Sequence, residues 1–245
     1  MAKIISTVEA RMGSSRLPGK TLAPICGEPM LKLLIERLKR IPMIDEVVIA
    51  TTTEPEDKKI EALAVESGVK CYRGSSDDVL SRVLQAALSQ KADLIVEMTG
   101  DNPLLDPGVV EDVIKLFLSG DYDYVCNFLD RTFPRGLDTQ IFPTRLLAEV
   151  DRITQNPLDR EHVSLYIYEH PERYRLGNLS APPKLHRPEL RLTVDTGEDL
   201  SLVREIYGRL YRKKPDFSIQ DVIALLDANP ELLKINQHIL QKPVS

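Results

Sequence analysis

The sequence predicts an α/β protein whose sheet is mostly parallel and carries helices on both faces. Through the first half of the chain, short runs of β-branched and apolar residues alternate with longer runs of helical periodicity. A repeated β-α-β order joins parallel strands through helical crossovers, which cover both faces of the sheet. The chain has 245 residues, 42% of them hydrophobic, and no linker-like segment, so we expect one domain over residues 1–245.

The elements of the first half follow from local patterns. Strands are predicted at residues 3–8, 46–52, 69–72, 93–99 and 122–127. Helices are predicted between them at residues 29–41, 54–67, 77–90 and 107–119. Pro29 and Pro107 stand in the first turns of their helices, where proline is tolerated. Gly68 follows the second helix, and glycine is the usual residue at a helix end.

The regular alternation stops after residue 128. Further strands are predicted at residues 136–142, 174–179 and 190–194, and further helices at 144–153, 159–170, 198–213 and 218–228. We interpret residues 130–190 as an inserted region at the sheet edge that contacts substrate or a second subunit. In the helix predicted at 159–170, Val163, Ile167 and His170 share one stripe beside Tyr166. That stripe packs either against another subunit or into the chain's own core.

Composition and charge argue against several classes of protein. The net charge is −5 and no basic stripe is present, which argues against a nucleic-acid-binding surface. No apolar run approaches the length of a membrane span or a targeting segment. Cys26, Cys71 and Cys126 are widely spaced, which indicates reduced thiols rather than a disulfide framework or a zinc site. We therefore expect a cytoplasmic protein that binds neither nucleic acid nor membranes.

The loop after the first strand predicts a polyphosphate-binding site. Its sequence GSSRLPGKT, which begins at Gly13, is one residue too long for a P-loop and does not run directly into a helix. Arg11, Arg16 and Lys20 place three cations within ten residues. Arginine and lysine side chains bind phosphate oxygens, and glycine allows the backbone to approach them closely. The alternative is an exposed basic turn without a ligand.

Two aspartates follow predicted strands and predict a metal site. Asp101 lies in TGDNPLLDP and Asp195 in RLTVDTGEDL, each just after an apolar run. In an open parallel sheet, ligands bind beyond the carboxyl ends of the strands. Mg²⁺ prefers one or two carboxylates together with phosphate oxygens and water. Asp101 would otherwise hydrogen-bond its own turn, and Glu198 and Asp199 are typical of the first turn of a helix.

The motif ARMGSSRLPGKTL, followed by GEPMLKLLIERL, resembles the signature of the cytidylyltransferases that activate Kdo, sialic acid and related acidic sugars. It is most similar to the branch of spore coat polysaccharide biosynthesis protein F, and the similarity covers almost the whole chain. The resemblance implies a GT-A-like nucleotide-diphospho-sugar transferase fold, a three-layer α/β/α sandwich with a Rossmann-like sheet. It also implies that Arg11, Arg16 and Lys20 bind the phosphates of CTP and that Asp101 and Asp195 hold Mg²⁺.

The same resemblance suggests further nucleotide contacts. It places the nucleotide beside Ala10, Gly13, Ser14, Ser15, Arg73 and Thr99. Thr99 stands where the Kdo-activating relatives have a glutamine, so contacts to base or ribose made there need not carry over. Arg73 is equally consistent with a surface arginine paired with Asp77 or Asp78.

The sequence as a whole predicts a Mg²⁺-dependent cytidylyltransferase that joins CMP from CTP to an acidic sugar for surface polysaccharide biosynthesis, with release of pyrophosphate. In the inserted region, Arg135 is a candidate ligand for the sugar carboxylate and Asp138 for a sugar hydroxyl. The family resemblance also implies a homodimer. A glycosyltransferase of the same fold is the alternative, with Asp121 and Asp123 as an Asp-x-Asp metal motif. A non-catalytic nucleotide-binding module is a third hypothesis.

Overall fold

A seven-stranded sheet forms the centre of the computed structural model, which describes residues 2–242. The strands are β1 (Ile4–Glu9), β2 (Pro24–Ile25), β3 (Glu28–Pro29), β4 (Glu46–Thr52), β5 (Lys70–Gly74), β6 (Leu94–Thr99), β7 (Tyr124–Cys126), β8 (Gln140–Pro143) and β9 (Leu176–Asn178). The order in the sheet is β5-β4-β1-β6-β8-β7-β9, and β2 and β3 pair separately. Among the described strands of the seven-stranded sheet, only β8 runs antiparallel to its neighbours. The mostly parallel sheet is therefore confirmed.

Helices cover both faces of this sheet. They are α1 (Met30–Leu38), α2 (Lys58–Glu66), α3 (Val79–Ser89), α4 (Pro107–Ser119), α5 (Thr144–Ile153), α6 (Pro157–Glu161), α7 (Leu165–Tyr168), α8 (Gly197–Leu210) and α9 (Ile219–Ala228). Helices α1, α2 and α4 share one core with Val8, and α3, α5 and α7 share another with Ile5. Side chains alternate along β1, so these two residues point to opposite faces. Helices α8 and α9 close a third core against α1. The predicted three-layer arrangement is confirmed.

The first half follows the sequence pattern because its helix ends carry strong local signals. Asp106 caps α4 by accepting hydrogen bonds from the N–H groups of Gly108 and Val109, and Pro107 occupies the first turn. Gly68 follows α2 with a φ of 66°, the left-handed conformation that ends a helix. Strand β4 and helix α4 have the bounds that the sequence predicts.

The helix predicted at 159–170 is wrong. Two short helices, α6 and α7, replace it, and Val163 between them adopts a φ of 52° that breaks the helical path. Val163 is 1% exposed and Ile167 is fully buried in the core beneath α3 and α5. The apolar stripe therefore packs into the chain's own core and is not available as a seam between subunits.

Two strands predicted in the second half also differ. Residues 190–194 form no strand of the described sheet; an isolated bridge links Arg191 to Arg135, and the chain bends at Thr193. Of the strand predicted at 136–142, only its end survives in β8, because Gly136 turns the chain with a φ of 104°. A Cβ on Gly136 would lie 2.6 Å from the backbone of Leu192 and Thr193, so these two segments require glycine there. The region 130–190 contributes β8 and β9 to the main sheet.

The remaining general expectations concern cysteines and membrane spans. Cys26, Cys71 and Cys126 are all free thiols. Within residues 2–242, no helix combines the length and the apolar character that crossing a membrane requires. The domain predicted at 1–245 extends to Met1 and residues 243–245, which lie outside the described residues.

Candidate active site

The loop that follows β1 is closed by its own hydrogen bonds. The N–H of Gly19 donates to the carbonyl of Met12 at 3.0 Å, and the Thr21 hydroxyl donates to the carbonyl of Arg11 at 2.8 Å. The N–H of Met12 donates to Oδ1 of Asp57 at 2.7 Å, and Asp57 is 1% exposed. The loop is thus anchored to the end of β4, and its cationic side chains project beyond the carboxyl ends of the strands.

Lys20 lies between the two predicted metal ligands. Its Nζ is 2.9 Å from Oδ2 of Asp101 and 3.0 Å from Oδ1 of Asp195, and it also donates to the carbonyl of Val194 at 2.8 Å. Burial alone would lower the pKa of Lys20, but Asp101 and Asp195 together raise it above its usual value. Residues 94 positions apart in sequence therefore share one ammonium group.

Asp195 is surrounded by cations on both of its oxygens. Besides Lys20, Arg16 approaches Oδ1 at 2.9 Å, and Arg191 donates to Oδ2 at 2.9 Å. Burial would raise the pKa of Asp195, but Lys20, Arg16 and Arg191 hold it below its usual value. The carboxylate is therefore ionised at neutral pH.

The loop that carries Asp101 is pressed against the end of β1. The N–H of Gly100 donates to the carbonyl of Glu9 at 2.8 Å, and a Cβ on Gly100 would lie 2.8 Å from that same oxygen. Only glycine allows this close approach without displacement. The Thr99 hydroxyl donates to Oδ1 of Asp101 at 2.6 Å and accepts from the amide of Asn102 at 2.9 Å. Thr99 thereby orients Asp101 and leaves its Oδ2 facing Lys20.

The two aspartates suit Mg²⁺ that arrives together with a nucleotide. Within residues 2–242, no group of three or more His, Cys, Asp or Glu side chains is arranged to hold a metal ion. Asp101 and Asp195 nevertheless direct oxygens to within 3.0 Å of one cation, the Lys20 ammonium. Mg²⁺ takes one or two carboxylates and completes its octahedron with water and phosphate oxygens. The donor set therefore fits Mg²⁺ bound with a polyphosphate.

The remaining loop residues predicted to contact the nucleotide lie in this same segment. Ala10 is 5% exposed and begins the loop, whereas Arg11, Gly13 and Ser15 are exposed to solvent. The Ser14 hydroxyl accepts a hydrogen bond from within the loop, at 3.4 Å. The exposed side chains and backbone of this loop are accessible to a ligand at the site.

Arg73 is held away from this cluster by structural contacts. Its guanidinium donates to the carbonyls of Thr52 and Glu54, each at 2.9 Å, and to Glu61 at 3.2 Å. The alternative pairing with Asp77 or Asp78 is not formed, since Asp78 instead pairs with Arg160. The nucleotide contact of Arg73 stays a prediction that these contacts do not favour.

Arg135 and Asp138 lie on the turn that faces Asp195. Burial lowers the pKa of Arg135, and the neighbouring cation Arg131 lowers it further. The two carboxylates nearby are already held by other cations: Asp138 bonds Arg131 at 2.7 and 2.9 Å, and Asp195 bonds Lys20. Arg135 forms no salt bridge within residues 2–242, whereas Asp138 is engaged by Arg131, and a contact of Arg135 with a sugar carboxylate stays a prediction.

Sequence reasoning missed the side chains that surround Asp195. Arg191 bonds Asp199 at 2.9 and 3.0 Å, and Asn236 donates to Asp199 at 2.9 Å. Asp199 was interpreted only as a first-turn residue of α8, and it does form a capping box with Thr196. Asp199 and Arg191 also hold Asp195 in place. The sequence gives only a weak signal of this role, namely that the two charged residues lie four positions before and after Asp195. Asn236 has no such signal, because its partners Asp199 and Arg191 lie 37 and 45 residues earlier.

A buried pair of acids beneath the site was also missed. Glu97 is 4% exposed, and burial together with neighbouring Glu9 raises its pKa well above the usual value. Burial also raises the pKa of Glu9. Arg82 of α3 lies near Glu9 and is 3% exposed, and burial lowers its pKa. The sequence predicted no role for Glu9 or Glu97.

Cations from the loop after β1 face two aspartates, which lie at the ends of neighbouring segments. This arrangement defines a nucleotidyltransferase site. The arrangement has the charges that a nucleoside triphosphate requires, and it lies where ligands bind in an open α/β sheet. The family model described as cytidylyltransferase matches residues 5–223. The chain belongs to the cytidylyltransferase family.

Individual relatives agree with this assignment. Spore coat polysaccharide biosynthesis protein SpsF of Bacillus subtilis is 34% identical to the chain over 94% of its length and 97% of the relative. A solved cytidylyltransferase from Leptospira borgpetersenii is 33% identical, has a TM-score of 0.91 and covers 99% of this chain and 100% of that one. The resemblance seen in the sequence is thereby confirmed.

A more distant structure supports the fold. A CMP:2-keto-3-deoxy-manno-octonic acid synthetase solved in complex with CTP has a TM-score of 0.63 at 19% identity, over 85% of this chain and 99% of that one. At this identity the likeness shows the fold alone, which is the nucleotide-diphospho-sugar transferase fold that the sequence predicts.

Proposed function

We propose that this protein transfers CMP from CTP to a hydroxyl group of an acidic sugar, with Mg²⁺, for the synthesis of a surface polysaccharide. The observation that carries the proposal is the position of Lys20, within 3.0 Å of both Asp101 and Asp195. Family membership supports the cytidylyl group, and the name of the SpsF relative supports the polysaccharide. The kind of sugar is inferred from Arg135.

The reaction forms one bond to phosphorus and breaks another. The sugar hydroxyl attacks the α-phosphorus of CTP, loses its proton and forms the new oxygen–phosphorus bond. The bond from the α-phosphorus to the bridging oxygen breaks, and pyrophosphate leaves with the electron pair. Positioning and neutralisation of charge dominate phosphoryl-transfer chemistry of this kind.

The residues of the loop would bind the part of CTP that leaves. Lys20 and Arg16 already lie against Asp195, and the exposed Arg11 belongs to the same loop. When the triphosphate enters, these three cations exchange their carboxylate and solvent contacts for phosphate oxygens. They stabilise the negative charge that develops on pyrophosphate, since charge-assisted bonds to phosphate are strong.

Asp101 and Asp195 would hold Mg²⁺ beside the phosphates. Bound there, the ion would neutralise phosphate charge and lower the pKa of a coordinated hydroxyl group. Thr99 and Arg191 each occupy one oxygen of these aspartates, which leaves one oxygen of each directed to the site. The protein thus offers two fixed carboxylate oxygens to a single cation.

Arg135 supports an acidic acceptor. Its guanidinium is half-buried beside the site, and the carboxylates near it bond other cations. A sugar carboxylate would form a two-point contact with such a group at a low cost in desolvation. Asp138 would contribute a hydroxyl contact only if its bonds to Arg131 rearranged.

The glycosyltransferase alternative lacks a suitable metal motif. Asp121 and Asp123 both pair with Arg175 on the surface, and Asp123 lies 2.9 Å from its Nε. Asp121 and Asp123 precede β7, which runs parallel to β1 and β6. They therefore lie at the amino ends of the strands, whereas Asp101 lies at the carboxyl ends. The alternative of a non-catalytic module is disfavoured because the charged residues of the site are all present and assembled.

The proposal is tested by measuring pyrophosphate release from CTP, ATP, GTP and UTP against a panel of acidic and neutral sugars with Mg²⁺. We expect turnover with CTP and at least one acidic sugar. Asp101→Asn and Asp195→Asn should each lower turnover by about 100-fold or more, about 2.7 kcal/mol of transition-state stabilisation. Asp112→Asn on the exposed face of α4 is the control and should match the wild type. Turnover only with neutral sugars, or preference for another nucleotide, would refute the assignment.

A further inference from the structure

Asp195 lies on a segment that the sheet does not hold. Asp101 follows β6, which is paired with strands on both sides. Residues 190–194 lead to Asp195 and form no strand of the described sheet, although an isolated bridge joins Arg191 to Arg135. The backbone of this segment is attached through a few bonds, such as that from the N–H of Val194 to the carbonyl of Asp101 at 2.8 Å. The position of Asp195 must therefore depend on other contacts.

Arg191 and Asp199 supply these contacts. Arg191 donates through Nη2 to Oδ2 of Asp195 at 2.9 Å and through Nε to Oδ1 of Asp199 at 2.9 Å. Oδ2 of Asp199 also accepts from the backbone N–H of Asp195 at 3.0 Å. Asp199 is fully buried and Arg191 is 9% exposed. The side chain and the backbone of Asp195 are therefore held by one buried ion pair.

The C-terminal segment, residues 229–241, completes this arrangement. The Asn236 amide donates to Oδ1 of Asp199 at 2.9 Å and to the carbonyl of Arg191 at 3.0 Å, and Asn236 is 3% exposed. Oε1 of Gln241 accepts from Nη1 of Arg191 at 2.6 Å. A guanidinium whose three nitrogens all have partners cannot rotate freely, so its direction toward Asp195 is set in advance.

We propose that Arg191 is a positioning residue for Asp195, and that Asn236 in the C-terminal segment sets its orientation. The inference rests on the proposed function, in which Asp195 binds Mg²⁺. Arg191 occupies Oδ2 and leaves Oδ1 directed toward Lys20 and the phosphates. Partners that orient a metal ligand typically change metal affinity by about 10- to 100-fold when they are removed. The last part of the chain thereby acts on the site without touching substrate.

The test measures CTP binding by calorimetry over a series of Mg²⁺ concentrations, without any sugar, so that no turnover occurs. Two variants are compared with the wild type: Arg191→Lys, which keeps the charge but loses the planar fork, and Asn236→Ala, which removes two hydrogen bonds without changing charge. Asn229→Ala is a matched control, because Asn229 lies in the same segment but its side chain bonds Leu225 and Arg209 instead of Arg191 or Asp199. Urea unfolding identifies conditions in which every variant is folded.

The Mg²⁺ midpoint is the Mg²⁺ concentration that gives half of the Mg²⁺-dependent gain in CTP affinity. We expect this midpoint to rise by about tenfold or more in both variants. Affinity for CTP without Mg²⁺ should stay within about twofold of the wild type, since Arg11, Arg16 and Lys20 remain. A loss of stability alone would not change the Mg²⁺ midpoint while leaving the Mg²⁺-free CTP affinity unchanged. An unchanged Mg²⁺ midpoint in both folded variants would overturn the positioning role while leaving the proposed function intact. If the CTP affinity of the wild type does not depend on Mg²⁺, the metal site and this inference are both overturned.

Discussion

Replacing Glu97 by glutamine would test the electrostatics beneath the active site. Glu97 of β6 lies opposite Gln140 of β8, and it neighbours Glu9 of β1. The carbonyl of the Gln140 side chain accepts from the hydroxyls of Tyr124 and Ser164, at 2.5 and 2.7 Å, so its amide is directed to Glu97. A protonated Glu97 can accept from that amide and donate to Glu9. Glutamine reproduces both bonds without a titrating group.

The raised pKa of Glu97 determines the sign of the effect. Between its ordinary value, 4.5, and the higher value in the folded protein, the native state holds a proton that the unfolded chain has lost. The contribution of Glu97 to stability is therefore full below pH 4.5 and is lost as the pH rises. The slope for one proton is about 1.4 kcal/mol per pH unit wherever the native state holds this proton and the unfolded chain does not.

The charged and titrating groups around Glu97 define what the measurement isolates. Glu9 from β1 raises the pKa of Glu97, Arg82 from α3 lies near Glu9, and Glu97 in turn helps to raise the pKa of Tyr168 to about 12. Tyr168 is thus neutral over the range of interest, and Arg82 stays charged. The difference between the wild type and Glu97→Gln therefore reports on the pair of acids.

The assay is urea unfolding followed by circular dichroism at pH 6, 7 and 8. The free energy of unfolding of the wild type should fall over this range relative to Glu97→Gln, with the largest gap at pH 8. Glu161→Gln, at an exposed position of α6, controls for the loss of one carboxylate. Parallel pH profiles for wild type and Glu97→Gln would refute a proton held by this pair.

Two further outcomes are expected. Gly100→Ala should destabilise the protein by about 1–3 kcal/mol and weaken CTP binding, because its Cβ would lie 2.8 Å from the carbonyl oxygen of Glu9. Gly197→Ala is the control, since no atom lies within 4 Å of that Cβ, and equal urea midpoints for the two variants would contradict the close-approach argument. The protein should be a homodimer by light scattering at micromolar concentration, since β9 leaves one edge of the sheet unpaired. A monomeric mass would contradict this.

The sequence predicted the elements whose signals are local. Strand β4 and helix α4 have the predicted bounds because their periodicity and their caps lie within a few residues of each other. The motif ARMGSSRLPGKTL, followed by GEPMLKLLIERL, identified the cytidylyltransferase family. These features depend on residue types at short spacing, so one chain is sufficient to read them.

The second half was less predictable because local preference and tertiary packing disagree there. Residues 159–170 have helical periodicity, yet Val163 adopts a left-handed conformation where the chain bends so that Ile167 enters the core. The apolar run 190–194 is typical of a strand, yet no strand of the sheet lies beside it to pair with. In both places the apolar pattern correctly predicted burial but not the backbone conformation.

The sequence by itself determined the class of enzyme, the cationic loop and the two aspartates. Only the tertiary structure decided how they are combined. The structure places Lys20 against both Asp101 and Asp195, and the Asn236 amide bonds the carbonyl of Arg191, 45 residues earlier in the chain. Such contacts form between residues that are far apart in the sequence and that the fold brings together. No local periodicity or spacing in the sequence predicts which residues meet in this way. Sequence motifs predict which residue types form a site, whereas the geometry of the site follows from the packing of the whole chain.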